Sequence, residues 1–115
     1  VHQLISTVTA EVAEGIPPVE VLRSTFPMGS MTGAPKISAM KIIEELEATK
    51  RGLYSGCVGY MSPQGDFDFN VIIRSILYKF LSFSVGSAIT AKSDPEKEYE
   101  ECLTKAAAMH RVLEK

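Results

Sequence analysis

Cysteine is scarce in this sequence, and a basic excess is missing. Cys57 and Cys102 are the only cysteines among 115 residues. Neither has a second Cys or a His at metal-ligand spacing, which argues against a disulfide framework and a zinc site; both read as buried thiols. Twelve Lys and Arg against fourteen Asp and Glu leave a formal charge of −2. No surplus of cations exists to neutralise a phosphate backbone, so nucleic acid is not expected as a partner. No apolar run approaches eighteen residues, so no membrane span is expected. The start, Val1-His2-Gln3-Leu4-Ile5-Ser6, has neither a charged leader nor a long apolar stretch, and a cytoplasmic protein is expected. No Ser-His-Asp or Cys-His set can be assembled, which leaves that type of nucleophilic catalysis without support. What is present, 45% hydrophobic and 23% charged residues, suits a globular chain with one core.

Hydrophobic spacing divides the chain. Val1–Ile5 is β-like with no cap or turn before it, so the chain is expected to be cut from something longer. Leu4, Val8, Ala10 and Val12 share one parity, predicting a strand over Leu4–Val12. Pro18 can open a short helix carrying Val19, Leu22 and Phe26, ending near Phe26-Pro27. After the loop Met28–Lys36, apolar Ile37, Met40, Ile43 and Leu46 predict a helix of about four turns. Thr32 is placed to cap it, and Thr49-Lys50-Arg51-Gly52 supplies cations and a glycine stop. The pattern then changes to β: Tyr54–Ser62, a Pro63-Gln64-Gly65-Asp66 turn, Phe67–Phe80 and Leu81–Ala91. Ser93 and Glu96 are spaced as a capping box opening a last helix to about Glu114. No Gly, Pro, Asn or Asp lies between Ser75 and Gly86, although two strands must reverse there. A single strand from Phe67 to Val85 would far exceed the usual three to ten residues. Turn residues near Tyr78-Lys79-Phe80 are therefore expected to be absent from the sequence as it stands.

Four places could carry chemistry. Gly29-Ser30-Met31-Thr32-Gly33-Ala34-Pro35-Lys36 puts two glycines and two hydroxyls at a helix start, where free N–H groups favour an anion. It is not a Walker loop, and an ordinary capped helix would read the same. On the last helix Glu98, Glu101 and Lys105 line the edge of the apolar face. The two carboxylates lie about 60° apart with Lys105 between them in angle; they could hold a divalent ion beside an anion, or form a surface ion pair of little worth. Arg74 falls in an apolar strand, on the face of Asp68 and Asn70, and its guanidinium needs either Asp68 or a ligand carboxylate. Gly86-Ser87 would let backbone N–H groups approach a ligand, or is a bulge. His110 lies in the last turns of the final helix, leaving His2 as the one histidine near a possible site.

Together these segments resemble the C-terminal part of the chorismate-utilising enzymes, most of all the component I branch of aminodeoxychorismate (para-aminobenzoate) synthase, with anthranilate synthase component I next. Five stretches match in order. They are Val1-His2-Gln3-Leu4-Ile5-Ser6-Thr7; Phe26-Pro27-Met28-Gly29-Ser30-Met31-Thr32-Gly33-Ala34-Pro35-Lys36; Arg51-Gly52-Leu53-Tyr54-Ser55-Gly56-Cys57-Val58-Gly59-Tyr60; Asp68-Phe69-Asn70-Val71-Ile72-Ile73-Arg74-Ser75; and Ser93-Asp94-Pro95-Glu96-Lys97-Glu98-Tyr99-Glu100-Glu101.

The resemblance implies an α+β fold, here antiparallel β segments with two main helices, as the C-terminal fragment of a single chorismate-binding domain spanning 1–115. It gives Ser30 a hydrogen bond to substrate, and Tyr54 and Arg74 the enolpyruvyl carboxylate of chorismate. Gly86, Ser87 and Ala88 become a backbone anion site, Lys105 a lysine near the substrate, and Glu98 and Glu101 ligands of Mg²⁺. The family's catalytic His commonly stands three residues before the serine of the opening motif. That position is Gln3 here, with His2 one residue earlier as the nearest candidate, and Gly86-Ser87-Ala88 lacks the family's second glycine. The implied activity is amination of chorismate to 4-amino-4-deoxychorismate on the route to folate, with ammonia from a glutamine amidotransferase subunit or domain. Anthranilate synthesis is the alternative among enzymes, and a non-catalytic anion-binding or assembly module the alternative outside them. The 115-residue chain alone is expected to be inactive.

Overall fold

The computed structural model describes residues 6–114. They form an α+β arrangement in the order α1 (Pro18–Thr25), α2 (Gly29–Thr32), α3 (Lys36–Leu46), β1 (Cys57–Met61), β2 (Phe67–Val71) and α4 (Pro95–Leu113). No helix among them is long and apolar enough to cross a membrane.

The helix starts follow local chemistry. Pro18 opens α1, where its missing N–H is no loss, and Phe26 closes it by donating to the Leu22 carbonyl at 2.9 Å. The loop expected over Met28–Lys36 contains a helical turn, α2, in which the Thr32 hydroxyl donates to the Met28 carbonyl at 3.0 Å. Thr32 is thereby committed and does not cap α3, whose N-cap is Pro35. α3 ends at Leu46, shorter than expected, and Gly52 serves a separate turn instead of the helix stop. α4 is capped by Asp94 and not by a Ser93–Glu96 box: its carboxylate accepts from the N–H groups of Glu96 and Lys97 at 3.0 and 3.2 Å. An anion at the positive helix end is the stronger cap, while Ser93 accepts from the Thr90 N–H at 3.0 Å.

β1 and β2 pair antiparallel, from Cys57 opposite Val71 to Met61 opposite Phe67. The predicted turn closes them, with Gly65 at φ 95° and the Ser62 N–H donating to Asp66 O at 2.7 Å. Gly59 faces Phe69, and a Cβ there would stand 2.0 Å from the Asp68 carbonyl oxygen and 2.6 Å from the Phe69 ring, so only glycine fits.

Several expected strands are not formed. Residues 6–13 are irregular, with Val8 and Val12 exposed; among the described residues no neighbouring strand satisfies their backbone, and the rest of that predicted strand lies outside them. β2 stops at Val71 instead of reaching Phe80. The Ile73 N–H turns to the Val71 carbonyl at 3.0 Å and Arg74 adopts φ 50°. Arg74 is therefore off the strand, and among the described residues no ion pair joins it to Asp68. The 81–91 run is likewise irregular apart from a single bridge between Leu77 and Ser82. That bridge closes the reversal with the residues present. Tyr78–Phe80 form a 3-10 turn, Leu81 takes the left-handed conformation (φ 45°, ψ 50°), and Leu77 and Ser82 exchange hydrogen bonds of 2.7 and 3.1 Å.

No described residue is fully buried, and Cys57 and Cys102 are half-buried instead of buried. The chain exposes 10187 Å², whereas a compact monomer of this mass exposes about 6,200 Å². Its radius of gyration is 16.7 Å against about 13 Å for a compact domain. Apolar helix faces and the Phe67–Phe69 side of the sheet are thus open. Heated alone, the 115-residue chain should lose helical circular dichroism gradually, with no calorimetric peak. A single sharp transition with the enthalpy of about 80 kcal/mol usual for this size would contradict this.

Candidate functional site

The turn 51–55 is the pivot of the site. Gly52 (φ 60°) and Ser55 (φ 63°) bend it, and the Tyr54 N–H donates to the Arg51 carbonyl at 3.1 Å. The turn presents Tyr54 to one side, half-buried, with its hydroxyl against Gly86: a Cβ on Gly86 would lie 2.8 Å from that oxygen. A side chain at 86 would push the Tyr54 hydroxyl out of this position.

Tyr54 and Gly86 line a cavity of about 380 Å³, whose wall also contains Ser30 from α2, Arg74 just beyond β2, Ser87, and Lys105 from α4. All six substrate-binding candidates therefore meet in one place. Their roles in sequence are far apart, from position 30 to position 105. His2 lies outside the described residues.

Each wall is held by polar contacts. Lys105 Nζ donates to the Gly86 carbonyl at 2.9 Å and pairs with Glu101 Oε1 at 2.5 Å. Carbonyl and N–H point oppositely across a trans peptide, so the Ser87 N–H on the same peptide faces away from Lys105. The N–H groups of Gly86, Ser87 and Ala88 donate to no described atom. The Ser87 hydroxyl donates to the Glu98 carboxylate. That bond above all, then one from Ser93, holds the Glu98 carboxyl below its ordinary value.

Glu98 and Glu101 do not line the cavity themselves; each stands one residue behind its wall, engaged by Ser87 and Lys105. Among the described residues no group of three or more His, Cys, Asp or Glu could hold a metal ion. The two carboxylates, three residues apart on one helix, still fit magnesium chemistry: that ion takes one or two protein carboxylates and keeps waters for its other positions.

Arg51 is the wall residue that sequence reasoning missed, having been assigned to the end of α3. Its Nε donates to Glu47 Oε2 at 2.9 Å, its Nη2 to Glu47 Oε1 at 2.5 Å, and its Nη1 to the Met31 carbonyl at 2.6 Å. Its guanidinium carbon lies 6.0 Å from the centre of the Tyr54 ring. The signal was the i,i+4 spacing of Glu47 and Arg51 beyond the helix end. Arg74 differs: no hydrogen bond or ion pair to a described atom engages its side chain.

A free guanidinium, a tyrosine hydroxyl, a serine hydroxyl and undonated backbone N–H groups around one cavity define a site for a small organic anion. Comparison with known proteins gives the family. The profile of the chorismate binding enzymes matches residues 1–111, and the chain belongs to that family. It is 49% identical to aminodeoxychorismate synthase of Streptomyces griseus over 116 aligned residues, 99% of this chain and 16% of that protein. It is 46% identical to anthranilate synthase component 1 of Aquifex aeolicus, over 99% of this chain and 24% of the relative. The chloroplastic aminodeoxychorismate synthase of Arabidopsis thaliana is 46% identical over 94% of this chain and 12% of the relative. The chain thus spans no more than a quarter of the length of these relatives.

The hydrogen bonds from Arg51 hold the Glu47 carboxyl below its ordinary value of 4.5. Their contribution is complete above that value and is lost as falling pH protonates Glu47. In a carbon-13 titration of the chain the Glu47 carboxyl should show a midpoint below 4.5, returning toward it in Arg51→Gln. An ordinary midpoint in the parent chain would contradict the ion pair.

Proposed function

We propose that this chain supplies the C-terminal substrate-binding wall of a chorismate-aminating synthase, most like aminodeoxychorismate synthase component I. The observation that carries the reading is the convergence of Ser30, Tyr54, Arg74, Gly86, Ser87 and Lys105 on one cavity. Arg74, with no partner among the described residues, offers its planar fork to the enolpyruvyl carboxylate of chorismate, and the Tyr54 hydroxyl lines the same cavity as a further donor. Ser30 hydrogen-bonds the substrate from the α2 side. Lys105 fixes the Gly86–Ser87 peptide, leaving the N–H groups of 86–88 for a second anionic oxygen. Glu98 and Glu101 would hold Mg²⁺. When bound, that ion would neutralise the ring carboxylate and polarise the ring for loss of its hydroxyl. Ammonia would come from a glutamine amidotransferase subunit or domain, and the working place would be the cytoplasm on a route to folate.

The preference for aminodeoxychorismate over anthranilate rests on Gly29-Ser30-Met31-Thr32-Gly33 and Gly86-Ser87-Ala88-Ile89-Thr90. Grafting the chain in place of the matching stretch of the Streptomyces griseus aminodeoxychorismate synthase, and separately of the Aquifex aeolicus anthranilate synthase component 1, tests it. The first chimera should turn over chorismate with glutamine or ammonium at a rate well above the second, and the isolated chain should be inactive. A first chimera that folds but neither binds nor converts chorismate would overturn the reading; a second chimera that outperforms the first would move it to anthranilate.

In the active chimera, Glu98→Gln and Glu101→Gln should each fold normally and need much more Mg²⁺ for half-maximal turnover. As surface charges alone, they would change stability by less than about 1 kcal/mol and leave the Mg²⁺ dependence superimposable on the parent's.

A further inference from the structure

The cavity contains two arginines in opposite states. Arg74 is uncommitted, whereas Arg51 has nearly all its donors engaged inside the protein. Two of its N–H groups grip the Glu47 carboxylate edge-on. Its Nη1 donates to the Met31 carbonyl at 2.6 Å and lies 3.5 Å from Ser55 Oγ. Glu47 neutralises its charge, so a ligand carboxylate entering the cavity gains little from Arg51 and much from Arg74.

The partners of Arg51 are the neighbours of the residues proposed to hold the ligand. Met31 follows Ser30 in α2, and Tyr54 lies beneath the guanidinium face. Glu47 terminates α3. One rigid planar group therefore gauges the distance between the α2 turn that carries Ser30 and the 51–55 turn that carries Tyr54. Helix packing cannot do this here, because no described residue at the junction is fully buried.

We propose that Arg51, locked by Glu47, is a positioning residue that sets the separation of Ser30 and Tyr54 across the cavity and so determines the affinity for the ligand carboxylate, its own donors being taken up inside the protein. The proposal rests on the chorismate reading for the identity of that ligand. Lysine cannot replace Arg51: an ammonium is a single point and cannot satisfy a carboxylate edge, a carbonyl on the opposite side and a ring face in fixed directions. Because the contacts it orients bind the substrate away from the reacting ring carbon, their loss weakens binding in the ground and transition states alike.

The test uses the full protein that carries this chain, with 3-fluorotyrosine at position 54, and the variants Arg51→Lys, Glu47→Gln and the double variant. Arg51→Lys should shift the Tyr54 fluorine resonance without any ligand and raise the KM for chorismate tenfold or more, with kcat changed less than twofold. Glu47→Gln should act in the same direction and carries the test if Arg51→Lys does not fold. The double variant should be no worse than Arg51→Lys, since the pair acts as a unit. An unshifted resonance with unchanged KM, or a lower melting temperature alone, would overturn the proposal by reducing Arg51 to a structural ion pair. Multiplying KM effects in the double variant would also overturn it. If chorismate leaves the parent's Tyr54 resonance unmoved, the chorismate reading fails, while the ligand-free resonance of Arg51→Lys still decides the positioning role.

Discussion

The attachment of α4 to the loop 83–93 is the constraint on which the cavity depends. α4 reaches that loop through Lys105 on the Gly86 carbonyl, Glu98 on the Ser87 hydroxyl and an edge-on contact of His110 with Phe83 at 5.3 Å between ring centres. Asp94 fixes where the helix begins, and the 3.6-residue period then carries Glu98, Glu101 and Lys105 to the loop on one edge. With no fully buried residue behind it among the described ones, this seam keeps the floor of the cavity beneath Tyr54.

The cations divide the labour by their partners. Lys105 and Arg51 each sit beside a carboxylate and orient backbone, one the Gly86 peptide and the other the Met31 carbonyl. Arg74 sits at the end of β2 with its backbone left-handed, a conformation that costs a non-glycine residue free energy. An exposed cation held at such a cost beside two neutralised ones is the arrangement expected where an anion, supplied from outside, completes the balance.

Much of this was legible in sequence, for identifiable reasons. α1, α3 and α4 announce themselves by 3.6-residue spacing with Pro near their starts, and β1, β2 and their turn by alternation around Gly65. The six residues that line the cavity were named through the resemblance of their motifs to a family, which needs no knowledge of the fold. The strands that did not form share one cause: runs such as Ile72–Leu77 and Leu81–Ile89 are rich in β-forming residues, but strand formation also needs a neighbouring backbone to bond. Leu81 in a left-handed turn follows no residue preference, and Arg51 was missed because a cation after a helix suits the dipole equally well. α2 was hidden by Gly29 at its first position and Gly33 just after it.

The two-stranded sheet carries a further consequence. Among the described residues neither outer edge of β1 or β2 is covered, and Val58 and Tyr60 stand 61% and 63% exposed on β1. Rows of unsatisfied N–H and C=O groups flanked by apolar side chains are templates for strand addition from any extended chain. A ribosome releasing these two strands with nothing yet covering their edges would expose such a template. Such open edges make the chain prone to self-association when it is expressed on its own.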